Sequence, residues 1–463
     1  MDPSDTVAVV AGKFTARAIR FMGAGLGSNL PGKLARRFAP NVLTKLSEQA
    51  KSGIIAVTGT NGKSTTSGLL ASILRAAGLE LVHNKQGANL VAGITASLVE
   101  SASWSGKLTA DYCLFETDEA ALPLIAKEVK LTQVVVTNLF RDQLDRFGEL
   151  DTTAKLISKG IIENKTLAIL NADDPNVSQL VPECPRIFFG VESIKGQEQK
   201  PAAATADGMG VQSMELSYCA QCGAETAYTL VFYGQLGHWS CTKCEHMRPV
   251  SRIKASDVEV GPTGSTFILS IDERKADAVV PLPGMFNVYN ALAAAASAAS
   301  LGVTIETIRQ GLKNYQTLFG RSERISIAGK SVLIQLIKNP AGASQAISAV
   351  AADPNARILI SINDNLADGR DISWLWDADF ELLASHAKKM VVSGQRAEDM
   401  AVRMKYAGVS RENILTEPKL DKALDQALDL VQPGETLWIM PTYTCLLEMQ
   451  KILKGRGYTL AGT

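Results

Sequence analysis

The sequence has no excess of charge of either sign: Lys+Arg and Asp+Glu both number 47 among 463 residues. Nothing global therefore points to a nucleic-acid partner. Long apolar runs are missing too. No stretch approaches the roughly 18 apolar residues of a membrane-spanning helix. The run Val7–Gly12, behind the acidic start MDPSDT, is too short for the apolar core of a secretory leader. Aromatic residues are few, at 6%. The cysteines are too unevenly placed for a disulfide framework, since four crowd into residues 219–244 while Cys113, Cys184 and Cys445 are scattered. Such usage suits a reducing cytoplasm, with the inner face of the membrane as a possible station. What is present is an ordinary globular composition, 46% apolar and 20% charged, long enough for two or three domains.

Residues 6–24 read as a helix with Lys13, Arg17 and Arg20 on one side, followed by Lys33, Arg36 and Arg37. A solvated face of a docking helix is the expected role, and contact with an anionic membrane is the alternative. From Gly53 the pattern changes. GIIAVTG is a short apolar strand, a glycine-rich turn follows, and Ser64–Ala77 is helical. Strands at Tyr112–Glu116, Gln133–Asn138, Leu167–Asn171 and Arg186–Gly190 alternate with helical stretches. That alternation predicts a mostly parallel sheet covered on both faces. Residues 195–262 break the rhythm and read as an insertion. The α/β theme resumes at Val280–Leu301, and a second series of strands begins at Val332–Leu336, Ala356–Ile362, Lys389–Ser393 and Thr436–Met440. The expected organisation is a short helical segment (1–50), a central α/β domain (51–322) and a C-terminal, Rossmann-like α/β domain (323–463).

Two motifs carry chemistry. GTNGKST places Gly59, Thr60, Asn61, Gly62, Lys63, Ser64 and Thr65 between a strand and a helix. Small residues there let backbone N–H groups approach phosphate oxygens, and the helix N-terminus adds positive potential. Lys63 would reach the β- and γ-phosphates of a nucleotide and Ser64 would ligate Mg²⁺. Position 57 is Val where the strict P-loop pattern has Gly, so this is a shorter form of the loop. The second motif is Cys219-x2-Cys222 with Cys241-x2-Cys244. This is the spacing of a Cys₄ zinc ribbon, and four thiolates close the shell, so the zinc should be structural; His238 and His246 are not needed.

The short phosphate loop resembles that of Mur ligases and folylpolyglutamate synthases. The resemblance continues through GANLVAGIT (Gly87–Thr95), FETDE (Phe115–Glu119), VTNLFRDQLDRFGE (Val136–Glu149), NADDP (Asn171–Pro175), PGMFNVYNALAAAA (Pro283–Ala296) and FGRSER (Phe319–Arg324). Six ordered segments over some 270 residues are far more specific than any one motif. Within the family the chain is similar to the MurT group. Only about 50 residues precede the first strand, which implies a substrate without the UDP handle of most Mur ligases. Gln143 stands where the usual metal-site His follows the Asp, and the zinc ribbon and the segment NDNLADGRDISW (Asn363–Trp374) also match the group. Lys155 is near the position of a modified Lys in several Mur ligases and is assigned no role.

The resemblance implies the rest of the site. Glu116 would bind Mg²⁺ beside Ser64. Asn287 and Asn290 would belong to the adenine pocket, Arg321 would hold ribose or phosphates, and Lys338 would close over the phosphate. It implies phosphorylation of a substrate carboxylate by ATP, followed by attack of ammonia. The substrate would be lipid II at the membrane surface. The ammonia would come from a separate GatD-type glutaminase subunit, with Asp371 completing the partner's Cys–His pair across a heterodimer interface. The chain offers no elbow of its own: Cys113 is inside a strand and Cys445 sits in TYTCLL without flanking glycines. Among the scattered acids nearby, Asp368 is expected to stabilise the turn, and Trp374 and Trp376 to anchor a core or interface. An amino-acid ligase of the Mur or folylpolyglutamate type acting without a partner is the alternative. A zinc-ribbon binding protein on a degenerate ATPase is opposed by the intact loop.

Overall fold

Strand β1 (Gly53–Thr58) is buried along nearly its whole length, and its side chains divide between two cores. Ile54 and Ala56 enter one, Ile55 and Val57 the other. A strand apolar on both sides must be covered on both sides, which is why the run reads as continuous rather than alternating. A computed structural model of the chain describes residues 3–21, 29–84, 88–140, 150–196, 218–219, 221–261, 263–316, 320–386 and 389–458.

The main sheet runs β11-β10-β9-β6-β5-β4-β1-β3-β2. Its parallel part comprises β1, β2 (Leu81–His83), β3 (Tyr112–Glu116), β4 (Gln133–Val136), β5 (Leu167–Asn171) and β6 (Arg186–Val191), as the alternation of strand and helix predicts. β9 (Ile253–Val260) continues it in parallel with β6, then β10 (Ser265–Ile271) and β11 (Arg274–Val280) turn antiparallel. β9 lies inside the 195–262 span yet belongs to the main sheet. Its polar, exposed half (Glu259 is 58% exposed at its side chain) disguised a strand that is buried only at Ile253, Ala255 and Val258.

Helices α1 (Pro3–Phe21), α2 (Leu30–Phe38), α3 (Val42–Ser47), α5 (Val91–Ser101) and α6 (Leu122–Glu128) cover one face. α4 (Lys63–Ala76) and the alanine-rich helix Met285–Ser300 cover the other. The small side chains of that second helix are buried from Asn287 to Ala298, letting its backbone lie close to α4 and the sheet.

Between β6 and β9, β7 (Thr226–Tyr233) and β8 (Leu236–Cys241) form a separate antiparallel hairpin that carries the cysteine pairs. The C-terminal sheet runs β12-β13-β17-β14-β15-β16. β13 (Lys330–Gln335), β14 (Ala356–Ser361), β15 (Met390–Ser393), β16 (Ile414–Thr416) and β17 (Thr436–Pro441) are parallel, and β12 (Arg321–Ile327) is an antiparallel edge paired with β13. Two separate apolar clusters line its two faces.

Candidate functional site

The turn from β1 into α4 is built by glycines in the left-handed region, Gly59 at φ +120° and Gly62 at φ +84°. A Cβ at Gly62 would strike Asn290 Oδ1, and one at Gly59 would strike Thr137 Oγ1. Neither position has room or backbone freedom for another residue. The loop is held from β4: Thr60 N–H donates to Asn138 O (3.0 Å), Asn61 N–H to Asn138 Oδ1 (2.9 Å) and Thr137 Oγ1 to Asn61 O (2.7 Å). Thr60 Oγ1 closes the arrangement by exchanging hydrogen bonds with Phe140.

Lys63 opens α4. Its Nζ donates to Gly59 O and to Glu119 Oε1, each at 2.6 Å, and the two charged side chains are about nine-tenths buried. Glu119 stands in the FETDE segment and was given no role from sequence; an acid three residues past the candidate metal ligand was the available signal. Glu116 ends β3 beside Val57, which is the register that brings it to the mouth of the loop. It is buried, and Asn84 fixes its backbone by accepting from Glu116 N–H and donating to Glu116 O.

A pocket lies where the two sheets' domains meet. Asn61, Gly62 and Thr65 line it from the loop, Phe286, Asn287 and Asn290 from the alanine-rich helix. Gln335, Leu336, Lys338, Gly342 and Gln345 line it from the C-terminal side. Asn290 Nδ2 donates to Asn287 Oδ1 (3.1 Å), so both asparagines are locked at its wall. Across the junction Asn339 Nδ2 donates to Asn61 Oδ1 at 3.1 Å, while Asn339 Oδ1 caps the helix Pro340–Ala351. This brings Asn287, Asn290 and Lys338 together with the loop. Arg321 begins β12 opposite Gln335, which places its backbone near the pocket. Gln143 lies outside the described residues. Lys155 is on the helix Leu150–Ile162 and lines an open groove on that helix.

The pocket's chemistry fits a nucleotide phosphate and Mg²⁺. Asn61 Nδ2 is buried with no hydrogen-bond partner, a donor aimed at an acceptor from outside the chain. Outside that lining, Ser64 at the start of α4 and Glu116 at the end of β3 carry hard oxygen groups of the kind Mg²⁺ prefers.

The hairpin β7–β8 brings all four cysteine sulfurs within 4.8 Å of one another. Cys222 and Cys241 are 3.4 Å apart and Cys219 and Cys244 3.6 Å. A tetrahedral Zn–S shell has edges of about 3.8 Å, so the set fits one zinc. Lys243 N–H points at Cys241 Sγ and holds that thiol down at about 6, favouring the thiolate a metal needs. His238 Nε2 donates to Val191 O instead (2.9 Å), whereas His246 Nδ1 lies 3.4 Å from Cys219 Sγ.

The hairpin also touches the site. At its tip Gln235 Nε2 donates to Leu139 O (2.7 Å) and Asp174 Oδ1 (3.1 Å), and Tyr233 packs on Phe140. Asp174 caps the short helix Pro175–Ser178 and takes Leu139 N–H, yet burial pushes it up to about 6. Its neighbour Asp173 is raised by burial and answered by Arg248 and Tyr289.

Asp371 is elsewhere, in the loop after β14, where its Oδ1 accepts Ser373 N–H (2.8 Å) just ahead of the 3-10 turn Ser373–Trp376. That N–H holds its carboxyl below the ordinary range. Asp368 is buried and takes Thr444 N–H (2.7 Å) and Asn365 N–H (3.2 Å), tying the loop to the helix Tyr443–Gly455. Trp374 is buried, while Trp376 stacks edge-on against Tyr406, and both of these are exposed.

The Mur ligase middle-domain model matches residues 57–217 and the MurT ligase C-terminal model residues 336–446. The lipid II isoglutaminyl synthase (glutamine-hydrolyzing) subunit MurT of Staphylococcus aureus strain N315 is 36% identical, over 96% of both chains. The subunit of the same name from Streptococcus pneumoniae R6 is 33% identical, over 98% of both. Among solved structures, a pseudomurein peptide ligase type C from Methanothermus fervidus superposes with a TM-score of 0.68 at 23% identity, covering 89% of this chain and 80% of that one, which shows the shared fold.

Proposed function

The chain belongs to the MurT family of Mur ligases, and on that premise we propose that it is the synthetase subunit of a glutamine-hydrolysing lipid II isoglutaminyl synthase. It amidates the α-carboxylate of D-isoglutamate in the lipid II stem peptide to D-isoglutamine, a step of peptidoglycan synthesis. The observation that carries this reading is the phosphate loop closed from both domains, with Asn339 on Asn61 and Lys338 at the same pocket.

Amide formation from a carboxylate is uphill in water. Transfer of the γ-phosphoryl group of ATP to the carboxylate makes an acyl phosphate and releases ADP. Ammonia then attacks the acyl carbon and phosphate leaves. The chain's task is to hold two anions together and neutralise the charge that develops. Lys63 and the N–H groups at the start of α4 face the phosphates, while the Thr60 and Asn61 N–H groups hold the loop to Asn138. Ser64 and Glu116 would hold Mg²⁺, which would supply positive charge against the phosphates. Asn287 and Asn290 form the adenine wall, and Arg321 and Lys338 close from the C-terminal side. Glu119 holds Lys63 in line. The cysteine set holds a structural zinc.

Ammonia is supplied by a GatD-type glutaminase bound to the C-terminal domain. Asp371 orients the partner's catalytic His from a half-buried position in which its carboxyl is held below the ordinary range, and the exposed Trp376–Tyr406 pair of the same domain offers apolar area for docking. No helix among the described residues is long and apolar enough to cross a membrane. The chain meets its lipid-linked substrate at the inner membrane face. The test is an assay with glutamine, ATP and lipid II, with and without the co-purified partner. Amidated product that needs the partner, or free ammonia in its place, is expected. Incorporation of an amino acid without a partner would instead make the chain an amino-acid ligase.

A further inference from the structure

Helix α1 carries two apolar stripes although its packing uses one. Ala8, Val9, Ala16 and Ile19 are buried, and Gly12 sits against Val99 of α5 and Ala35 of α2. Val7, Phe14 and Phe21 recur every seven residues, which keeps them within about 40° on one side of a helix. They are 51%, 61% and 95% exposed. A helix turned to water carries polar groups there, and folding gives no reason for these three.

The stripe continues beyond α1. Trp104, after the end of α5, packs on Phe14 with ring centroids 5.6 Å apart and stays 42% exposed. Arg17 lies over the Trp104 ring at 4.8 Å and Lys13 at 5.6 Å. On the adjoining α2, Leu30 and Phe38 are half exposed and Lys33 and Arg37 point outward. The one acid within α1 and α2 is Asp5, which is buried and bonded to Lys45 at 2.8 Å. The outward face is thus apolar points set among cations.

We propose that this α1–α2 face docks the chain on an anionic lipid surface, with Phe14, Phe21 and Trp104 entering the headgroup layer and Arg17, Lys33 and Arg37 meeting lipid phosphates. The proposal deepens the reading of a lipid-linked substrate and rests on it for its purpose. The geometry suits that purpose. α5 begins beside Asn89, whose carbonyl takes Asp118 N–H next to the catalytic end of β3, and ends just before Trp104. Its eleven residues span roughly 16 Å. The membrane face and the end of β3 that carries Glu116 lie at the two ends of one helix, so a lipid-anchored substrate can reach the phosphate loop while its anchor stays in the bilayer.

The test is flotation of the full chain, with its partner bound, on vesicles of phosphatidylglycerol and phosphatidylcholine against phosphatidylcholine alone. Enrichment on the anionic vesicles that weakens with salt is expected. Phe14→Ser with Phe21→Ser, and separately Arg17→Glu, should each cut that binding about tenfold or more. Both variants should keep wild-type melting temperature and amidation of detergent-solubilised substrate. No enrichment of the wild type on anionic vesicles, or unchanged binding by both variants, overturns the proposal. Loss of the glutaminase partner from the variants also overturns it and makes the face a protein interface. The detergent assay separates the two claims: wild-type chain that floats but never amidates defeats the assigned function, not the docking face.

Discussion

The phosphate loop and the loop after β14 stand at the same place in their sheets, at the carboxyl ends of parallel strands, where open α/β sheets bind ligands. They are made in opposite ways. The phosphate loop is backbone held by backbone and short polar side chains, with two obligatory glycines and a buried Lys63–Glu119 pair. The loop Asn363–Ile372 is held by side chains at its root: Asn363, Asn365 and Asp368 all converge on Thr444. Its outer part is open, with Leu366 85% exposed. A pocket for a small anion must be finished within one chain, because a buried donor such as Asn61 Nδ2 has only a ligand to satisfy it. A surface to be completed by another protein can be rigid at its base and leave its acid and its apolar groups outside.

The first way to break this contrast is Lys63→Ala. It should lower ATP-dependent amidation by about 10³-fold or more, with either nitrogen source, and leave fold and partner binding intact. Wild-type turnover would remove the loop from the chemistry. Asp371→Asn sharpens the other half. Loss of an orienting acid costs on the order of 10²–10⁴ in rate, and that loss is expected for glutamine-dependent amidation and for the partner's glutaminase activity. High ammonia should restore amidation. Equal loss with both nitrogen sources would move Asp371 into the synthetase site or the fold. Asp368→Asn is the control: it removes a buried root contact and should give a smaller, unselective defect.

A third measurement concerns the hairpin that touches only the first region. One zinc per chain is expected by metal analysis. Cys222→Ser should lower zinc content and the melting temperature by several degrees rather than stop chemistry outright. Freshly purified protein with no zinc would count against the ribbon. The smallest effect is one of pH. Asp174, pushed up to about 6 from 3.8, favours the fold when neutral. Its contribution is complete below the unfolded value and is lost as pH rises through the folded one, a swing of up to roughly 3 kcal/mol. Asp174→Asn should therefore differ from wild type by an amount that changes between pH 4 and 6 and is constant above. Parallel stability curves across that window would show that its N–H donors keep it ionised.

The central parallel strands, the phosphate loop and the cysteine set were all legible in the sequence, because each depends on short-range pattern: continuous apolar runs, glycine where φ is positive, and fixed Cys spacing. The antiparallel strands were not. β9 ends in exposed polar residues and β12 reads RSERISI, and only sheet neighbours make strands of them. Nor were Glu119, Asn84, Asn138 and Asn339, whose partners are 56, 32, 77 and 278 residues away along the chain. No local periodicity encodes such pairs. Asp371 is a third kind, since its geometry alone describes an acid that holds its own turn through Ser373 N–H and its proposed task depends on a chain outside this one.

Asn290 fills the space that a side chain at Gly62 would need, and it takes a hydrogen bond from Thr66, 224 residues away. The ribosome therefore releases the phosphate loop long before the residue that walls it. Between the synthesis of Asn138 and that of Asn290 the loop has its β4 contacts but not its asparagine wall, and Asn339, later still, has not yet reached Asn61. Nucleotide capture is thereby a property of the nearly finished chain, and an N-terminal fragment ending before the alanine-rich helix would bear the motif without its pocket.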